Sequence, residues 1–505
     1  MTLRVQPAWA VHLQPGSEIP LQDEAARRYL RRGSLPEALL RDGGRPALVA
    51  GDMALSYDEL RRAAGESARR LKESGVTQEM HVALFAENSG AWIIAYLGLQ
   101  LLGATVVGMN PAFKAAEAEQ ILSDSEAAVA LVDAGRQSLI DALRPRLKAL
   151  HQTARVEEIG SVPSPLVAEG QGGVSLTPED PALLLYTSGT TGRPKGALLD
   201  HGNLLAQGRG VVEAWRWTAE DRLVLALPLF HVHGLAIALH GSLIAGGCAV
   251  LVPFSPENVV RELRAGGTMF FGVPAMYQRL ADYLDRNPAD LRHVRLFVAG
   301  SAPLPATLFE RCERVLGQPV LERYGITEGG IVVSNPYDGP RQPGRVGYPL
   351  PGVEVRLGEQ DEVQLKGGQV FKGYWRNAAA SADVFVDGWF RTGDIGEIAA
   401  DGSLAIRGRI KELIISGGYN VYPREVEMVL EQHPAVAEVA VAGLPSERWG
   451  EEVTAFVVTR SQVQAEDLIT FARDRLATYK CPRAVHFIEA IPRNAMGKID
   501  RSKLR

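Results

Sequence analysis

Between residues 56 and 132 the chain alternates helix-forming and strand-forming segments, and that alternation restricts it to a sheet of mainly parallel strands covered by helices. Ser56-Tyr-Asp-Glu59 is a capping box for a helix that runs to Gly75, and a strand over 81–86 follows it. The uncharged stretch 91–110 is long enough to suggest a membrane span, but Gly98, Gln100, Gly103 and Gly108 interrupt it. A buried helix over about 91–102 and a strand over 105–109 account for it without a membrane. A helix near 116–122, a strand over 127–132 and a further helix complete the series. With 505 residues the chain exceeds what one core holds, so at least two domains are expected.

The apolar run Leu183-Leu-Leu185 reads as another buried strand, and it leads into Tyr186-Thr-Ser-Gly-Thr-Thr-Gly-Arg-Pro-Lys-Gly196. Loops at the ends of such strands are where α/β proteins hold their ligands. The glycines let backbone N–H groups turn toward an anion, the Ser and Thr hydroxyls donate to phosphate oxygens, and Lys195 adds a mobile positive charge. The spacing differs from a Walker loop, in which Gly-Lys-Ser/Thr opens a helix, because Lys195 stands between Pro194 and Gly196. A flexible Gly/Thr surface turn is the plain alternative for this loop taken by itself. A net charge of -5, with no basic tract interleaved with aromatics, argues against nucleic acid, so any nucleotide bound is small. Cys248, Cys312 and Cys481 are odd in number, far apart and without metal-ligand spacing, which suits a reducing cytoplasm. The apolar core of the amino terminus, residues 7–13, is too poor for an export signal.

The middle third repeats the strand-to-loop arrangement. Residues 223–228 lead into Leu229-Phe-His-Val-His-Gly-Leu235, which puts His231 and His233 beside an apolar helix continuing to about Leu243. Two histidines two apart in an apolar segment, with no carboxylate nearby, read as packing residues rather than metal ligands. Arg295-Leu-Phe-Val-Ala-Gly-Ser-Ala-Pro303 is a further strand that ends in a Gly-Ser turn able to hold a purine. In Glu322-Arg-Tyr-Gly-Ile-Thr-Glu328 an aromatic can stack on adenine, a hydroxyl can bind phosphate and a carboxylate can hold Mg²⁺ through oxygen. Asp387-Gly-Trp-Phe-Arg-Thr-Gly-Asp394 ends in a carboxylate able to accept two ribose hydroxyls, or else in an ordinary turn aspartate. An Asp401-Gly402 turn then joins two apolar runs between 395 and 406 in a hairpin. Beyond it, a helix over 424–432, strands over 436–441 and 453–458, a helix over 466–476 and a strand over 485–488 make a small α+β domain.

In this order, from about residue 50 to the end, these motifs resemble those of the adenylate-forming superfamily of acyl-CoA synthetases, carrier-protein-loading adenylation domains and luciferases. The resemblance implies a large N-terminal α/β domain over residues 1–408, a hinge over 409–411 and a small mobile C-terminal α+β domain over 412–505. It assigns ATP to Thr187, Ser188, Gly189, Thr190, Thr191, Gly192 and Lys195, with adenine against Gly300, Ser301 and Ala302. Glu322, Arg323, Tyr324 and Gly325 continue that site, Tyr324 on the adenine, Thr327 on the α-phosphate and Glu328 on Mg²⁺. Asp394 takes the ribose, and Arg409 the ribose or a phosphate. Gly408-Arg-Ile-Lys-Glu-Leu-Ile-Ile-Ser-Gly-Gly-Tyr-Asn-Val-Tyr-Pro423 resembles the hinge and pantetheine segment, which implies Lys411 as pivot and Ser416, Gly417 and Gly418 as the CoA face. His231, Arg279, Gly325 and Gly330 fall in the acyl pocket, where His231 also gates the thiol channel. Pro492-Arg-Asn-Ala-Met-Gly-Lys-Ile-Asp-Arg501 resembles the tail that carries the catalytic lysine, here Lys498.

The implied activity is ATP-dependent acyl-CoA synthesis with Mg²⁺ and CoA. The substrate carboxylate is itself the nucleophile toward the α-phosphate, so no Ser-His-Asp constellation is needed. Lys498, the loop and Mg²⁺ stabilise the transition-state charge, and the small domain then turns about Lys411 so that CoA attacks the acyl-adenylate. An enzyme loading a carrier protein in trans would share the first half. Fatty acyl-AMP ligases usually carry an insertion near residues 352–375, and this chain is shorter there, which favours CoA. For the acid, two signals disagree. Leu229 to Leu235, Phe271-Gly-Val-Pro-Ala-Met-Tyr-Gln-Arg279, Glu322-Arg-Tyr324 and Ser334-Asn-Pro-Tyr-Asp-Gly339 resemble malonyl-CoA synthetases, in which the arginine matching Arg279 pairs with the distal carboxylate. A surface helix arginine near Asp282 is the plain alternative. Gly329-Gly-Ile-Val-Val333, where that group carries larger or more polar residues, implies a roomier and less polar pocket. The expectation is a bulkier, mainly apolar acid, with malonate or methylmalonate as the alternative.

Overall fold

The computed structural model describes residues 7–162, 174–187, 194–493 and 499–504. The alternation of the first third closes into a six-stranded sheet, in the order Gln152–Arg155, Val129–Val132, His81–Phe85, Thr105–Gly108, Pro181–Thr187, Lys195–Asp200. Neighbours pair in parallel except the last two, which run antiparallel on either side of the predicted phosphate loop. Leu183, Leu184 and Leu185 are buried because the sheet is covered on both faces. The uncharged stretch is the buried helix Gly90–Leu102, started by Ser89 accepting from the Trp92 N–H and stopped by Gly103 at φ 70°. Among the described residues no helix is long and apolar enough to cross a membrane.

A second sheet of nine strands packs against the same core. Its centre is parallel, running Leu321–Ile326, Leu296–Ala299, Met269–Gly272, Arg222–Leu225, Cys248–Leu251 and Pro46–Ala50. Antiparallel neighbours, Gly330–Ser334 and then Tyr348–Pro349 on one side and Met53–Ser56 on the other, finish it. A third, antiparallel sheet joins Glu354–Leu357, Glu362–Lys366, Phe385–Val386, Trp389–Ile398 and Leu404–Arg409. The hairpin expected around Asp401-Gly402 is its last pair. The C-terminal strands Ile414–Ser416, Tyr419–Val421, Val436–Ser446, Gly450–Thr459 and Ala484–Phe487 form a fourth sheet with its own core around Val421, Val439 and Leu468. The chain is thus α/β with a large N-terminal part on mainly parallel sheets and a smaller C-terminal α+β part.

One expected helix differs in kind. After His231 the chain makes a π-helical segment, His233–Leu239, before the α-helix His240–Ala245. Gly234 lies so close to the Pro228 carbonyl that a Cβ would stand 2.2 Å from its oxygen, and the widened turn accommodates that approach.

Candidate active site

Strand alternation sorts the Glu322–Glu328 motif onto two faces. Tyr324 turns toward Asp394 and donates its hydroxyl to the Asp394 carboxylate. That carboxylate is buried and ion-paired to Arg409 at 2.8 Å, and its charge raises the Arg409 pKa. Glu328, on the turn beyond, is held twice by residues 371–374: the Phe371 N–H donates to its carbonyl at 2.8 Å and the Tyr374 hydroxyl to its carboxylate at 2.9 Å. Burial raises the Glu328 pKa, and the Tyr374 hydroxyl works against that rise. The Lys195 ammonium stands 5.2 Å from the centre of the Tyr374 ring. Thr187 faces Lys195 across the hairpin, its hydroxyl donating to the Lys195 carbonyl at 3.4 Å. Lys411, on the short turn Ile410–Glu412, has its pKa lowered by burial first and then by the charges of Lys195 and Arg409. Arg409 pairs with Asp394, and Lys195 and Lys411 lie near enough for their charges to be felt, an arrangement that suits a polyanion carrying both hydroxyls and phosphates.

Arg323 turns the other way, toward Gly300. A Cβ at Gly300 would lie 2.3 Å from the guanidinium carbon, so only glycine lets the arginine pass. Arg323 is 5% exposed, its Nε and Nη2 have no partner within the protein, and burial lowers its pKa to about 9. Next to it Ser301, at φ 68°, brings its hydroxyl 3.3 Å from His233 Nδ1. His233 is buried and held neutral by that burial and by the Arg323 charge. Its N–H lies 3.2 Å from His231 Nδ1. Gly330, at φ 62°, leaves room for the Gln207 amide, which a Cβ would meet at 1.9 Å. Neither polar atom of that buried amide is paired. Gly325 packs its backbone on the Gly330 carbonyl, and Ala302 follows Ser301 at the half-buried rim. Glu322, on the Tyr324 side, accepts from the Gly344 N–H at 3.1 Å. Thr327 is half-buried between Ile326 and Glu328.

The remaining predicted residues lie apart from these two groups. Arg279 is exposed on the helix Pro274–Arg286, its guanidinium 4.9 Å from the Phe254 ring centre, while Asp282 pairs with Arg311 instead. Ser416 is buried with its hydroxyl unpartnered, and Gly417 and Gly418 follow at φ 59° and 83°. Ser416 and Gly417 border a cleft lined by Tyr419, Trp449, Tyr479 and Arg483, in which Tyr419 stacks on Tyr479 at 4.7 Å and Arg483 covers Trp449 at 3.9 Å. Ser188, Gly189, Thr190, Thr191, Gly192 and Lys498 lie outside the described residues. Sequence reasoning passed over Tyr374, Gln207, the Tyr419–Tyr479 stack and Trp449. The only signal for Tyr374 was the short aromatic run Phe371-Lys-Gly-Tyr-Trp375.

Residues 35–375 match the family model described as AMP-binding enzyme, and residues 425–498 match the AMP-binding enzyme C-terminal domain. The 2-succinylbenzoate–CoA ligase of Bacillus licheniformis is 38% identical over 473 residues, covering 91% of this chain and 96% of that protein. The mitochondrial malonate–CoA ligase of Homo sapiens is 35% identical, covering 85% and 83%. The o-succinylbenzoate CoA synthetase of Bacillus subtilis, solved with its acyl-adenylate intermediate, superposes with a TM-score of 0.82 at 31% identity, covering 93% and 97%. The family match over residues 35–375 and relatives above 30% identity across most of the chain make it a member of the AMP-binding, adenylate-forming enzyme family: an ATP-dependent, AMP-forming acyl-CoA ligase that works through an acyl-adenylate.

Proposed function

We propose that the enzyme activates a mainly apolar carboxylic acid whose far end carries a second hydrogen-bond acceptor, a carboxylate foremost. The observation behind this reading is the buried guanidinium of Arg323, whose Nε and Nη2 have no partner within the protein. A cation kept in a low-dielectric site without an internal partner is costly, and a substrate anion removes that cost. His233 Nε2, whose ring feels the Arg323 charge, and the Gln207 amide against Gly330 are also buried and unpaired. Val332, which alternation puts with Ser334 on the Arg323 face, offers a buried apolar surface for the body of the acid, whereas Ile331 and Val333 take the Tyr324 face. The names of the two relatives point the same way, since 2-succinylbenzoate and malonate each carry two carboxylates.

In the reaction, the acid's near carboxylate attacks the α-phosphorus of ATP and pyrophosphate leaves; the CoA thiolate then attacks the acyl carbon and AMP leaves. Asp394 and Arg409 orient the ribose, Gly300 to Ala302 and Tyr324 hold the adenine, and Lys195 with the loop 187–192 holds the phosphates. Thr327 reaches the α-phosphate. Mg²⁺ fits Glu328, a half-buried hard oxygen donor with one oxygen engaged by Tyr374. When bound there it would neutralise charge on pyrophosphate. Lys498 stabilises the transition-state charge, Lys411 serves as pivot between 1–408 and 412–505, and Ser416 to Gly418 guide the pantetheine past His231. The three buried free cysteines fit a reducing cytoplasm.

The test is pyrophosphate exchange with pairs of acids matched in length, with and without a terminal carboxylate, malonate included. We expect the diacid to be preferred and Arg323→Met to erase the preference, a loss of about 2–5 kcal/mol in kcat/KM. Equal use of the monoacid, or a preference that survives Arg323→Met, would overturn the proposal. Offering CoA as the sole thiol distinguishes this enzyme from one that loads a carrier protein.

A further inference from the structure

The geometry points to Tyr374 as a positioning residue that fastens the phosphate-loop lysine and the Glu328 carboxylate into one unit. This rests on the assignment of Lys195 and Glu328 to the charges of ATP given above. Tyr374 touches both: its hydroxyl donates to Glu328 Oε1 at 2.9 Å while its ring face lies 5.2 Å from the Lys195 ammonium. One side chain thereby fixes which carboxylate oxygen stays open to a cation and which way the lysine leans.

The residues around it read as a clasp built for that purpose. Ala197 and Tyr374 form a β-bridge, and the Trp375 N–H donates to the Gly196 carbonyl at 2.8 Å, so the backbone of 374–375 lies along the strand that leaves the phosphate loop. The Phe371 N–H reaches the Glu328 carbonyl at 2.8 Å, and the Phe371 ring meets the Tyr374 ring edge to face at 4.9 Å. The Ser381 hydroxyl accepts from the Tyr374 N–H at 2.9 Å. Trp375 donates to the Asp124 carbonyl at 3.1 Å, and Asp124 accepts from the Tyr186 hydroxyl at 2.6 Å at the strand that enters the loop. Both sides of the loop and the Glu328 turn are thus tied through five consecutive residues, 371–375.

Tyr374→Phe keeps the ring and its packing and removes only the hydroxyl; Tyr374→Leu removes the ring face as well. ATP binding is measured by calorimetry without acid, so no turnover occurs, once with Mg²⁺ and once with a chelator. We expect Tyr374→Phe to weaken ATP binding with Mg²⁺ by about 10-fold and to leave chelator-treated binding as in the wild type. Tyr374→Leu should weaken both. Thioesterification of supplied acyl-adenylate should be unchanged in Tyr374→Phe. Glu328→Gln is the control for the underlying assignment: if it does not alter the Mg²⁺ dependence, that assignment falls. If Glu328→Gln alters it and Tyr374→Phe does not, the positioning role of Tyr374 is overturned. Equal losses for Tyr374→Phe in both binding conditions and in thioesterification would also overturn it, in favour of a packing role.

Discussion

Replacing Glu322 by glutamine should change how stability depends on pH, and by an amount the structure sets. Glu322 is 5% exposed, and burial raises its pKa from 4.5 to about 7 against the pull of the Gly344 N–H and of Arg424. Below about pH 4.5 folded and unfolded chains both keep the proton, so there is no effect. Between about 4.5 and 7 the unfolded chain releases it first, and stability falls as pH rises. At 1.36 kcal/mol per unit the loss totals about 3 kcal/mol, of which about 2.5 kcal/mol falls between pH 5 and pH 8. His12, His201 and His240 slope the other way. Burial lowers them to about 4, 4 and 3, so their contribution is present above the ordinary 6.5 and is lost as pH falls toward those values. The quantity to read is therefore the difference between wild type and Glu322→Gln. Urea unfolding followed by tryptophan fluorescence at the two pH values should give the variant a relative gain of about 2.5 kcal/mol on going from pH 5 to pH 8. Parallel profiles would refute the reasoning, because they would mean that Glu322 is ionised in the folded chain throughout.

Three further outcomes are expected. Lys498→Ala should slow pyrophosphate exchange by about 100-fold or more while sparing thioesterification of supplied acyl-adenylate, measured as separate half-reactions. Lys411→Pro removes an N–H and fixes φ, so acyl-adenylate should accumulate while the CoA ester fails to form, as product analysis would reveal. Gly330→Ala should lower unfolding free energy by at least about 1–2 kcal/mol from the left-handed backbone alone. Gln207→Ala in the same chain should recover only the further loss that comes from the 1.9 Å contact.

Much of the fold was legible because local rules and tertiary structure agreed. The Ser56 capping box, the apolar strands and the helix stopped at Gly103 all form where periodicity and end signals put them. The third sheet was only half legible: its Asp401-Gly402 hairpin carries a turn signature, but its other strands are short and their partners are distant in sequence. Tyr324, Glu328 and Asp394 were named from motifs that resemble the adenylate-forming superfamily, and the structure brings these three side chains together. Tyr374 was not named, because its two contacts join elements that are about 46 and 179 residues away along the chain. The sequence put Arg279 in the acyl pocket and Arg323 in the nucleotide site, whereas the structure leaves Arg279 exposed and buries Arg323. What separates them is Gly300 on a neighbouring strand, which makes space for one, and the solvent-exposed helix face that carries the other. The π-helical turn after His231 was hidden for a similar reason, since it follows from contact with the Pro228 carbonyl and not from composition.

Lys195–Asp200 is the last strand of the six-stranded sheet, so its outer side would present unpaired backbone groups beside the apolar Ala197-Leu-Leu199. Such an edge is a template for a second chain to add a strand. Residues 374 and 375 cover it, through the Ala197 bridge and the bond to the Gly196 carbonyl. The segment that packs on Glu328 and Lys195 therefore also caps this sheet edge. A variant in which this segment lifts away should show itself first as concentration-dependent oligomers, before any loss of secondary structure.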